Sequence, residues 1–62
     1  MKSRLHLSTV SAREGDEYRE IRFDFWRHEQ ALTYVMELFR NNELSKPMAN
    51  ALVDQIMEVA RS

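Results

Sequence analysis

The residues that could do chemistry in this chain are few and scattered. His6 and His28 are the only soft metal ligands, because there is no cysteine. Neither has a second ligand at a spacing that metal sites use. His28 and Glu29 are adjacent, and adjacent helical residues point apart, so they are poorly placed to share an ion. Ser8, Thr9, Ser11 and Ser45 have no local histidine and acid to activate a hydroxyl. Glu20, Asp24 and Glu37 are carboxylates without a defined partner. With a single glycine, Gly15, no glycine-rich phosphate loop can form. The expectation is a chain without enzymatic activity, cofactor or metal, with both histidines solvated.

What remains is chemistry of recognition. The chain has 9 basic and 10 acidic residues, for a net charge of −1. Generic binding to phosphate backbones needs an excess of positive charge. Lys2, Arg4, Arg13, Arg19, Arg22 and Arg27 do gather in the first half, but Glu14, Asp16, Glu17, Glu20 and Asp24 are interleaved with them. A nucleic-acid reading would rest on Arg4, Arg19, Arg22 and Arg27 and ranks second. The aromatic candidates for a protein interface are Trp26, at the end of an alternating segment, and Tyr34, beside an apolar helical stripe. Met36 and Met57 would suit an adaptable surface.

These residues must be positioned by a small scaffold. Sixty-two residues allow one domain, spanning residues 1–62. Chains of this size often add disulfides, a metal or a second subunit. Disulfides are excluded by composition, which leaves tight packing or self-association. The 44% hydrophobic content and the scarcity of glycine and proline argue for a folded chain. The N-terminal residues lack the apolar run of a signal peptide, and no stretch approaches the roughly 20 apolar residues of a membrane span. A cytoplasmic protein is expected.

Two segments alternate with period two. Residues 3–10 place Leu5 and Leu7 on one side, and residues 18–25 place Ile21, Phe23 and Phe25 on one side. Gly15, between them, centres a β-hairpin covering about 3–25. Making both apolar faces coincide sets Leu7 opposite Phe23 and Leu5 opposite Phe25. That register needs a loop of three or five residues, which a three-residue Glu14-Gly15-Asp16 loop with a bulge fits, and it rules out a four-residue loop, which would set Leu7 opposite the polar side of the second strand.

After Phe25 the period becomes helical. Ala31, Leu32, Val35, Leu38 and Phe39 predict a helix over about 27–41, with Asp24 near its start and Asn41-Asn42 as its stop. Ser45 as N-cap and Pro47 in the first turn predict a second helix over about 46–60. The order is ββαα, an α+β fold. The expected core is Leu5, Leu7, Ile21, Phe23, Phe25, Leu32, Val35, Leu38, Phe39, Leu52, Ile56 and Val59.

The second helix carries more apolar surface than one contact needs. Met48, Leu52, Ile56 and Val59 make one stripe, and Ala49, Val53, Met57 and Ala60 make another beside it. Together they cover about half the circumference, against roughly 100° for an ordinary surface helix. The second stripe, with Trp26 and Tyr34, is the expected interface. A two-stranded sheet also has free edges that invite pairing with a second copy. A homodimer and an interaction or assembly role are therefore expected, of the kind found among small accessory or regulatory proteins of phages and mobile elements.

A strand followed by two helices resembles the ribbon-helix-helix arrangement, whose paired strands enter the major groove. That resemblance would make Glu20, Arg22 and Asp24 the readers. Two of the three are acidic, and here the leading strand forms a hairpin, which that arrangement lacks.

Overall fold

A computed structural model describes residues 7–61. Strands β1 (Leu7–Glu14) and β2 (Glu17–Asp24) form an antiparallel hairpin. A 3₁₀ turn (Phe25–Arg27) leads into helix α1 (His28–Arg40), and helix α2 (Lys46–Arg61) follows. This is the expected ββαα order of an α+β fold. Leu5, Arg4 and His6 lie outside the described residues.

The hairpin register differs from the expected one by a single residue. Val10 stands opposite Ile21, Ser8 opposite Phe23 and Leu7 opposite Asp24. The loop is the two-residue pair Gly15-Asp16, closed by Glu14 opposite Glu17. Gly15 has φ +62° while Asp16 keeps a negative φ, the pattern of a type II′ turn. That turn matches the natural twist of a hairpin and needs no bulge. The consequence is an inversion of β1, since strand side chains alternate between faces. Val10 is 3% exposed and belongs to the core, whereas Leu7 is 57% exposed and does not.

Phe25 also departs from the expected strand face. The Asp24 side chain accepts a hydrogen bond from the Trp26 backbone N–H at 3.0 Å, capping the 3₁₀ turn and ending the strand one residue early. Phe25 is then half-buried and meets Trp26 edge to face, with ring centroids 5.2 Å apart.

The helix boundaries follow from their caps. Asn42 has φ +64°, a left-handed conformation that asparagine tolerates. The Glu43 N–H donates to the Leu38 carbonyl at 2.8 Å and the Asn42 N–H to the Phe39 carbonyl at 3.0 Å. These two bonds are the Schellman closure of α1. At the start of α2 the Met48 N–H reaches the Ser45 hydroxyl at 3.4 Å, and the Ala49 N–H donates to the Ser45 carbonyl at 2.9 Å. Pro47 occupies the first turn, where its missing N–H leaves nothing unpaired.

The core lies between the hairpin and the two helices. Val35, Met48, Leu52 and Ile56 are fully buried, among Val10, Ile21, Phe23, Ala31, Leu38, Leu44 and Ala49. Each large side chain there contributes about 1.5–3 kcal/mol of transfer free energy. Helix α2 packs on both α1 and β1, while α1 meets β2 only sparsely. Leu32 and Val59 pack on this core from its margin, and Phe39 is 43% exposed rather than central. The buried line of α1 runs Ala31, Val35, Leu38, which turns Phe39 to the side of the helix.

Candidate protein-binding surfaces

Two concave surfaces flank α1. The first arises because α1 stands away from β2. Glu20, Ile21, Arg22, Phe23 and Asp24 form one wall and Arg27, Gln30, Ala31 and Tyr34 the other, around about 410 Å³. The two-residue turn decides what the strand wall offers. It makes Glu14–Glu17, Ala12–Arg19, Val10–Ile21 and Ser8–Phe23 the hydrogen-bonded pairs of the hairpin. The backbone N–H and C=O groups of Tyr18, Glu20, Arg22 and Asp24 therefore point out along the edge of β2 that no strand pairs among the described residues.

The second surface lies between the helices. Val35, Met36, Phe39, Lys46, Ala49, Asn50 and Val53 line about 310 Å³ with a mostly apolar surface. Met36 is 58% exposed, and Met57 continues the Val53 side of α2 one turn further on. Ala49 is buried and forms part of the floor, and Val53 is half-buried at the rim. Ala60 is half-buried at the far end of α2 and lines neither groove.

The expected interface residues thus divide between two places. Tyr34 belongs to the strand-edge groove, and Ala49 and Val53 to the interhelical one. Trp26 is 69% exposed on the 3₁₀ turn, next to Arg27 of the first groove. Phe39, expected in the core, is instead a wall of the second groove. Its position was readable from sequence as the residue one beyond Leu38 on an already sufficient stripe.

The arginines do not converge. Arg22 and Arg27 line the strand-edge groove together with Glu20 and Asp24. Arg19 stands opposite Ala12 on the other face of the hairpin, and Arg13 lies 5.1 Å over the Tyr18 ring. His28 Nδ1 is 3.4 Å from the Phe25 carbonyl, a contact within its own turn. Among the described residues no group of three or more histidines and carboxylates is gathered for a metal, and no helix is long and apolar enough to cross a membrane. Comparison with protein-family models, with curated proteins and with solved structures finds no match.

Proposed function

We propose that this chain is a non-enzymatic protein-binding module that acts as a homodimer in the cytoplasm. The observation that carries the reading is apolar surface beyond what the fold consumes. Met36, Phe39 and Met57 stay open around the α1–α2 groove although the core is already closed beneath them. Large apolar side chains grouped beside a groove are characteristic of surfaces that receive another protein. Methionine adds adaptability, since its unbranched chain fits irregular partners. The arginine-based nucleic-acid reading is weaker, because Glu20 and Asp24 share the groove with Arg22 and Arg27.

Capture from the native cell tests the binding role. A bound protein should be retained by the wild type and lost with Met36→Glu combined with Phe39→Glu, while the circular dichroism spectrum stays unchanged. Identical capture by both chains, or none by either, would overturn it. Sedimentation equilibrium tests the homodimer, for which the expected mass is near twice 7.4 kDa.

A further inference from the structure

We infer that two copies join through the free edge of β2, in one register set by charge, to form a continuous four-stranded antiparallel sheet. The inference rests on the homodimer reading and assigns it a surface. Tyr18, Glu20, Arg22 and Asp24 present their outward backbone groups along this edge. A symmetric antiparallel partner must therefore oppose even-numbered residues to even-numbered residues. Centring the two-fold axis on Ile21 sets Glu20 against the partner's Arg22, Arg22 against the partner's Glu20, and Tyr18 against the partner's Asp24. The opposite-charge pairing of Glu20 with Arg22 then occurs twice by symmetry, and residues 18–24 of each strand take part.

The neighbouring registers fail. Centring on Glu20 places that carboxylate against its own copy, and centring on Arg22 does the same with two guanidinium groups while opposing Glu20 to the partner's Asp24. Centring on Phe23 would match Arg22 with the partner's Asp24, but pairing would run into the 3₁₀ turn that starts at Phe25. Centring on Arg19 opposes two arginines. The other edge of the sheet carries no such code, since Leu7, Thr9, Ser11 and Arg13 line it.

Three further features suit this arrangement. Glu20 and Arg22 make no ion pair or side-chain hydrogen bond among the described residues, so both charges are available. The partner strand would enter beside α1 where the helix offers Ala31, a small residue, with Gln30 and Tyr34 flanking it. Opposing residues of equal parity keep both apolar faces on one side, so all four helices cover the same face of the enlarged sheet. An open β edge is otherwise a hazard for uncontrolled pairing, and closed self-pairing removes it.

Sedimentation equilibrium on the whole chain decides the question with four variants. Glu20→Arg and Arg22→Glu each create like-charge pairs at both symmetric positions and should weaken the dimer by about tenfold or more. The double variant Glu20→Arg with Arg22→Glu restores opposite charges and should return to within about threefold of wild type. Asp54→Lys, exposed on α2 and lining neither groove, should leave dimerisation unchanged. Amide exchange gives an independent reading: the Glu20 and Arg22 N–H groups should gain protection as concentration rises. Single variants that dimerise like wild type, or a double variant no better than the singles, would overturn the inference. A dimer that forms but is indifferent to charge reversal would overturn the strand-edge assignment and leave the homodimer standing. A chain monomeric at every concentration would end both.

Discussion

The Ser45 hydroxyl donates a hydrogen bond to the Glu17 carboxylate at 2.9 Å, across 28 positions of sequence. It joins the first residue of β2, just past the hairpin turn, to the residue that caps α2. The same hydroxyl is within reach of the Met48 N–H. One side chain therefore terminates a helix and fastens the hairpin to it.

Ser45→Ala should cost about 1 kcal/mol, the usual loss of an N-cap, read as a lower urea midpoint at unchanged slope. Ser45→Asp is the more telling change. Aspartate is ordinarily as good a cap as serine, yet here its carboxylate would face Glu17 with no proton to donate. It should fail to match the wild type near neutral pH, and adding Glu17→Gln should restore it. Equal stability of Ser45→Asp and wild type would show that the link to Glu17 contributes nothing.

The register makes opposite claims about two residues of β1. Val10→Ala removes buried methyl groups and should destabilise by about 2 kcal/mol. Leu7→Ala removes a larger but exposed side chain and should stay within about 0.5 kcal/mol. Thermal or urea unfolding of the two variants gives the comparison. The reverse order would restore the odd-numbered loop.

Gly15→Ala tests the turn itself. No atom lies within 4 Å of where the added Cβ would stand, so any penalty comes from the backbone at φ +62°. A loss of about 1 kcal/mol is expected, with Gly15→Asn losing less. The same logic applies to Asn42, where Asn42→Gly should be neutral or stabilising and Asn42→Ala destabilising by about 1 kcal/mol.

Leu52→Ala should cost about 3 kcal/mol, because Leu52 is fully buried in the core. A domain this small has only a few kcal/mol in total, so the variant should be largely unfolded at room temperature by circular dichroism. Met57→Glu, on the exposed side of the same helix, should leave folding intact and serves as the control.

The helical half of the fold was legible because its signals agree with one another. Asn41-Asn42, Ser45 and Pro47 punctuate the chain where the apolar period breaks, and no second arrangement satisfies them as well. The hairpin was ambiguous because β1 holds apolar residues of both parities, with Leu5 and Leu7 odd and Val10 and Ala12 even. Hydrophobic pattern alone favoured the leucines. Turn chemistry favoured the even set, since Gly-Asp is a good two-residue connection, and turn chemistry won. Phe25 leaves the expected face for a similar reason, as its parity continues the strand while the Asp24 side chain stops it. The stripe of Ala49, Val53, Met57 and Ala60 was visible as surplus, but its division between floor, rim and open surface depended on how closely α1 approaches. The groove beside β2 had no sequence signal beyond alternating charge, because its width is a property of helix placement.

The packing of α2 on β1 has a consequence for how the chain gains its structure. The hairpin and the helical pair are each local in sequence, yet neither has a covered apolar face until the last element docks against the first. Val10 shares one core with Ile56, and that core closes only when both ends of the described chain are present. Unfolding should therefore be a single cooperative transition, with the amides of the hairpin and of α2 becoming exchangeable together rather than in separate stages.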